Sequence, residues 1–249
     1  MSRFSFAPTS AGYAMSWSKS QVISLLRENQ DERGVTHWQK RAKQATGLSS
    51  FGIGLTKLRK LAKQIGREPK LAAQLWKSDI YDAKVIAILI DDPKAISKEQ
   101  AERQVEQINA GMLSHVFASC DAPLAKSPIA FELAEEWMNS QDEVRRRCGY
   151  SLLYELSKRK VKAMDDDYCL QRIADIREHI HDEPMWVREA MNTALMGLGK
   201  RNKTLNQAAI KAAKAIGPVQ IDYGDDNQCQ PLDVLKHLTS DYVKNKFAK

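Results

Sequence analysis

The sequence predicts an all-α protein built as a superhelical stack of paired helices, and three observations predict it. Apolar residues recur at helical spacing along nearly the whole chain, while period-2 alternation is almost absent. Glycine (12) and proline (8) are few among 249 residues. Ala, Leu, Lys, Glu and Gln, which lose little rotamer freedom in a helix, are abundant. Finally, short helical segments follow one another through brief connections and pair at intervals of about 30–45 residues, the period of α-solenoid repeats.

The elements follow in order. Residues 1–17 lack a continuous apolar run, which predicts a poorly ordered tail and no cleaved signal. From residue 18 to 249 no shift in composition breaks the chain, so one domain is expected. Ser18–Asn29 places Val22, Ile23, Leu25 and Leu26 on an inward stripe. Asp31–Thr46 is polar and basic, helical around Trp38 and interrupted at Gly34. A turn at Gly47–Gly54 precedes the basic amphipathic helix Leu55–Ile65, with Leu55, Leu58, Leu61, Ala62 and Ile65 inward and Lys57, Arg59, Lys60 and Lys63 elsewhere.

Glu68–Lys77 is short, and Ile80–Ile90 is apolar on almost every side, so it belongs deep in the core. Asp91–Ser97 breaks it, and Ser97 with Gln100 has the spacing of a capping box for Lys98–Ile108. Helices are expected at Leu113–Ser119, Pro128–Asn139, Glu143–Ser157, Asp165–Ile180, Trp186–Leu198, Thr204–Ile216 and Leu232–Asn245. Val219–Tyr223 alone reads as extended. Such a series of helix pairs favours HEAT-like units.

A net charge of +7 permits a nucleic-acid or anionic-surface partner without requiring one. Its distribution says more. Arg145, Arg146 and Arg147 open the helix Glu143–Ser157, where unpaired backbone N–H groups already favour an anion. Guanidinium forks suit phosphate oxygens, so this block reads first as a phosphate contact. Arg145–Lys162 holds seven Lys and Arg against the single acid Glu155, and Lys200–Lys214 holds no acid at all. Two such windows one helix pair apart line a single groove if the units stack; otherwise they are separate solvated faces.

Other chemistries find little support. The four cysteines, Cys120, Cys148, Cys169 and Cys229, stand far apart, which suits reduced thiols in a cytoplasmic protein better than zinc ligation. His179–Glu183, HIHDE, sits at a helix end before Pro184 and reads as polar punctuation, so neither a metal nor a cofactor is expected. No apolar run reaches the roughly 18–20 residues of a membrane span. Nucleophile elbows, phosphate-binding glycine loops and dinucleotide fingerprints are absent from the sequence.

At Phe51–Asp92, FGIGLTKLRKLAKQIGREPKLAAQLWKSDIYDAKVIAILIDD, the chain resembles the DNA alkylation repair family of HEAT-like-repeat proteins. Ser127–Tyr150, SPIAFELAEEWMNSQDEVRRRCGY, is similar to that family's helix pair ending in RRxGF, with Arg147 on its final arginine. Asn192–Lys203, NTALMGLGKRNK, resembles its late NWALRQIGKRN helix, and IGPVQIDYGDDNQCQPLDVLKHL resembles the tail of some branches. The resemblance covers about residues 18–246 and implies a right-handed α-α superhelix with a concave, basic groove for DNA.

The founding members of that family are glycosylases that excise cationic N3- or N7-alkylated purines, using a W-D-x-x-D segment and a second tryptophan in the late helix. A carboxylate there stabilises the sugar cation as the base departs. This chain reads GMLSHVFASCD at Gly111–Asp121, without a tryptophan and with Asp121 as its one carboxylate. Thr193 takes the place of the second tryptophan and Met196 that of a phosphate-gripping arginine, while Lys200, Arg201 and Lys203 keep the GKRN turn. The resemblance therefore implies a monomeric, nucleoid-associated cytoplasmic protein that binds duplex, distorted or branched DNA by shape, without conventional glycosylase activity. Arg146, Arg147, Lys158, Lys200, Arg201 and Lys203 are the expected phosphate contacts. The alternatives are a glycosylase with a relocated acid at Asp121, and a scaffold whose groove takes an acidic protein segment.

Overall fold

The computed structural model describes residues 17–41, 47–108, 112–120, 122–223 and 229–248. Fourteen α-helices follow one another among them: α1 Lys19–Glu28, α2 Glu32–Arg41, α3 Leu55–Ile65, α4 Pro69–Trp76, α5 Tyr81–Ile90, α6 Lys98–Val105 and α7 Leu113–Ala118. After a 3-10 turn at Leu124–Lys126 come α8 Ala130–Met138, α9 Glu143–Ser157, α10 Asp166–His179, α11 Met185–Gly199, α12 Lys203–Ile216, α13 Val234–Leu238 and α14 Asp241–Phe247. None is long and apolar enough to cross a membrane.

Side-chain oxygens set several of the helix starts. Ser18 forms a full capping box with Gln21, and Asp142, Asp165, Asn202 and Asp233 each accept from a backbone N–H in the first turn of the helix that follows. Ser97 accepts from Gln100 N at 3.2 Å, as its spacing predicts.

The helices form two rows. In the first, α3, α5, α7, α9, α11 and α13 each pack on the next. In the second, α4 lies on α5, α8 on α9, and α12 on both α10 and α11. Polar side chains tie the second row along its length: Trp76 Nε1 donates to Gln107 at 3.0 Å, Trp137 Nε1 to Glu102 at 2.6 Å, and the Tyr168 hydroxyl to Glu135 at 2.5 Å. One hydrophobic cluster runs between the rows from Val22 to Leu238, with Ile86, Leu113, Leu133, Leu152 and Leu195 wholly or almost wholly buried. Removing this much apolar surface from water is the main stabilising term.

Three sequence expectations change. Gly34 lies inside α2 and does not interrupt it, because a Cβ there would stand 1.9 Å from the Gly52 carbonyl oxygen. That close approach brings the loop before α3 under α2, and buried Asp82 organises the loop by accepting from Ser50 Oγ and Phe51 N at 2.8 Å and Ile53 N at 3.1 Å. Leu232–Asn245 is two helices, since Ser240 ends one turn and its carbonyl accepts from Val243 N and Lys244 N to begin another. Val219–Tyr223 forms no strand; the one bridge recorded among the described residues is an isolated parallel pair, Ser49 with Ile80. Most of the expected tail, residues 1–16, lies outside the described residues, but Trp17 packs against the core.

Candidate nucleic-acid interface

Consecutive helical residues point about 100° apart, so the arginine triplet of α9 cannot present one surface. Arg145 turns to the second row, with Nη2 2.9 Å from Glu102 and 3.0 Å from Glu106. Arg146 closes the α8–α9 turn: Nε donates to both Glu183 oxygens at 3.0 and 2.9 Å, and Nη1 donates to the Ser140 and Gln141 carbonyls at 3.0 and 2.9 Å. Only Arg147 reaches along the first row. Nη1 donates to Ser114 Oγ on α7 at 2.7 Å, Nη2 lies 3.3 Å from Glu189 on α11, and the guanidinium rests 4.8 Å from the Trp186 ring centroid. The α9 N-terminus, expected to attract an anion, is already capped by Asp142, which accepts from Arg145 N at 2.8 Å.

Arg147 begins a polar stripe. Ser151, Tyr154 and Lys158 follow at four, seven and eleven residues, on one face of α9. Exposed Lys158 lies 4.0 Å from the Tyr154 ring centroid and donates to Glu155 Oε1 at 2.9 Å. Partial burial disfavours its charge, but the Glu155 carboxylate outweighs that and raises its pKa. Glu155 itself is 1% exposed, and its Oε2 has no partner among the described groups.

On α11 the matching stripe is Trp186, Glu189, Thr193, Gly197 and Lys200. Gly197 lets the helices close, since a Cβ there would stand 2.4 Å from Ser157 Oγ and 2.7 Å from the Tyr154 ring. Burial, and then the neighbouring Lys246 charge, lower the Lys200 pKa. Lys203 is exposed at the first turn of α12. Arg201 faces inward, with Nη1 on the Ser157 and Arg159 carbonyls at 3.2 and 3.0 Å and Nη2 on that of Met164 at 2.8 Å.

On the other flank of Arg147, His115 Nε2 and Cys120 Sγ are 2.8 Å apart. Burial lowers the His115 pKa, and the Arg147 charge adds to this. Arg59 of α3 donates to the Cys120 carbonyl at 3.4 Å. A run of cations thus passes from Arg59 through Arg147 and Lys158 to Lys200, on the first row. Of the six residues expected from sequence, the structure brings Arg147, Lys158 and Lys200 together, sets Lys203 at the next turn, and commits Arg146 and Arg201 to internal bonds. Arg59 was not among the residues expected from sequence; the one signal for it was the basic face of its helix.

Residues 22–224 match the sequence profile of a family described as DNA alkylation repair enzyme. The chain belongs to that family. Two of its relatives are uncharacterized proteins of Listeria innocua and Listeria monocytogenes, each 24% identical over 200 residues, covering 77% of this chain and 83% of the relative. A solved structure superimposes with a TM-score of 0.77 at 25% identity, covering 93% of this chain and 96% of the other. It is described as one of a new family of proteins related to the HEAT-like repeat DNA glycosylases, with affinity for branched DNA structures.

In the segment and the helix where the resemblance implies catalytic groups, the described side chains are engaged internally. Leu113, Val116 and Phe117 are buried core residues. Thr193 Oγ1 donates to the Glu189 carbonyl of its own helix at 2.9 Å, and Met196 Sδ accepts from Lys200 at 3.3 Å. Asp121 lies outside the described residues. The HIHDE side chains are engaged in structural bonds, with His179 Nδ1 2.9 Å from the Asp175 carbonyl, His181 Nε2 3.0 Å from that of Ile216 on α12, and Glu183 accepting from Arg146. No cluster of three or more metal-ligating side chains occurs among the described residues.

Proposed function

We propose that this member of the alkylation repair family grips duplex, distorted or branched DNA through its phosphates and lacks the family's usual base-excision chemistry. One observation carries the reading: Arg59, Lys158, Lys200 and Lys203 are cations along one run, and Glu189, the acid beside Arg147, is bonded to that guanidinium and to the Tyr223 hydroxyl. The track is left net positive. Phosphate contacts of this kind position a protein on DNA without reading sequence. The W-D-x-x-D segment on which excision would depend has no counterpart in Gly111–Asp121, and Thr193 stands where the second tryptophan is expected. The likeness to a protein with affinity for branched DNA supports the same partner.

Electrophoretic or anisotropy titration at two salt concentrations tests the binding. The expected result is a Kd that rises steeply with salt, by about 0.9 in the logarithmic slope for each phosphate neutralised. Binding that ignores salt, or none at low salt, overturns it. Abasic-site assays on duplex containing N3- or N7-methylated purine test the second clause. Release of base that Asp121→Asn abolishes would establish the glycosylase reading instead. Displacement of DNA by an acidic protein partner at the same cations would favour the scaffold.

A further inference from the structure

At the α3 end of the cation track lies a cleft of about 640 Å³. Its volume falls within the range of about 300–1,000 Å³ typical of small-molecule sites. The lining has two characters. Arg59 and Lys63, one turn apart on α3, face Lys126 of the 3-10 turn, and all three are exposed. Arg67 stands at the rim, held by Nη1 bonds to the Leu89 and Asp91 carbonyls at 2.8 and 2.6 Å. Ala62, Leu89 and Pro123 supply an apolar wall. Among the described residues no acidic side chain lines the cleft, and neither Arg59 nor Lys63 forms an ion pair.

A nucleotide has the same two characters, a flat apolar base and an anionic phosphate. A paired nucleotide offers only its phosphate, because its base is stacked inside the duplex. Entering a cleft with both a cationic rim and an apolar wall rewards a nucleotide that is already unpaired. Arg59 joins the cleft to the track, since it lines the one and bonds Cys120 beside His115 and Arg147 in the other.

We propose that this cleft binds a single unpaired nucleotide, the phosphate on Arg59 and Lys63 and the base against Ala62, Leu89 and Pro123, and that this gives the protein a preference for branched over fully paired DNA. The inference rests on the DNA-binding reading above. Stacking and phosphate contacts together make a preference of about tenfold reasonable for one nucleotide.

The test compares a blunt duplex with a fork of the same length carrying unpaired nucleotides, using the intact protein and the surface variants Arg59→Gln and Lys63→Gln, with circular dichroism confirming that each is folded. The expected result is that the wild type favours the fork, that Lys63→Gln loses at least five-fold of that preference while its duplex affinity changes less than two-fold, and that Arg59→Gln, which removes a cation of the track as well, weakens both DNAs but the fork at least five-fold more. Thiol labelling of Cys120, which also lines the cleft, is read on a Cys229→Ser background and should slow with the fork and not with the duplex. Equal loss on both DNAs, or no loss, overturns the cleft assignment while leaving the DNA-binding reading intact. Failure of the wild type to bind either DNA overturns both. Titration with free thymidine 5′-monophosphate separates the two sources of such a ligand: tight binding of the mononucleotide, with fork affinity unchanged in the variants, reassigns the cleft to a free nucleotide and overturns the branch assignment.

Discussion

The Arg147 guanidinium lies over the Trp186 ring, 4.8 Å from its centroid, while Nη2 touches Glu189 at 3.3 Å. Arg147 is therefore a clamp between α9 and α11 as well as a charge on the face proposed to meet DNA. Stacking and pairing hold its fork in one orientation, which lowers the entropy lost when a phosphate arrives. Glu189 also offsets part of its charge. Arg147→Lys keeps the charge and loses the fork and much of the stacking. It should weaken DNA binding nearly as much as Arg147→Ala, as read by titration at one salt concentration, because a lysine cannot span Trp186 and Ser114 together.

The arginines and lysines of the expected contact set separate by assay. Lys158→Ala and Lys203→Ala should each lower the salt slope by about one and weaken all sequences alike; Lys203→Ala should leave the melting temperature nearly unchanged, whereas Lys158→Ala should lower it, because buried Glu155 loses its cation. Arg146→Ala and Arg201→Ala should instead destabilise the fold by about 2–3 kcal/mol in chemical denaturation, since each leaves buried or half-buried acceptors without donors.

Gly34→Ala offers a test of the α2 packing. A glycine in a helix interior normally gains about 1 kcal/mol on replacement by alanine. Here the new methyl would meet Gly52 O at 1.9 Å, with neighbouring backbone atoms at 2.7 and 2.8 Å. Overpacking against backbone should dominate, and the variant should lose about 1–3 kcal/mol, measured as a lower urea midpoint at unchanged slope.

Stability should fall with pH through His115. Burial and Arg147 hold its folded pKa below the ordinary 6.5. As pH drops through 6.5 the unfolded chain takes the proton first, so the stabilisation present above 6.5 is lost toward the folded value. Denaturation of the wild type and His115→Gln on either side of that pH should show the smaller decline in the variant.

DNA affinity has its own pH dependence on the alkaline side. The Lys200 pKa is lowered by burial and by Lys246, and a bound phosphate restores the charged form. As pH rises through that lowered pKa toward the ordinary lysine range, the free protein loses a proton that binding must restore, so affinity should fall over that alkaline interval. Lys200→Arg should flatten that decline in the same titration.

Helix type and order were legible because apolar periodicity is a local property. Leu58, Leu61, Ala62 and Ile65 stripe α3, and the structure buries all four. The helix pairing and the family motifs were equally visible, as the matched span 22–224 bears out. Gly34 misled, because its reason is the backbone of Gly52, outside its own helix and distant along the chain, and no local pattern records that approach. The single helix expected over Leu232–Asn245 failed at Thr239 and Ser240, whose hydroxyls donate to the Leu235 and His237 carbonyls and allow a turn that propensity alone does not mark.

The site divided in the same way. From sequence alone came the all-helical stack, the basic windows, and the expectation that Thr193 and Met196 replace a tryptophan and a phosphate-gripping arginine, all carried by residue identity and order. Tertiary structure alone decided which cations face outward together. Arg145, Arg146 and Arg147 are adjacent in sequence, yet they meet Glu102, Glu183 and Glu189 on three different elements. Arg59 and Arg147 are far apart in sequence, yet both lie beside His115. The physical reason is that the helical turn fixes each side chain's direction, while the acids and carbonyls waiting in that direction are set by how the rows stack.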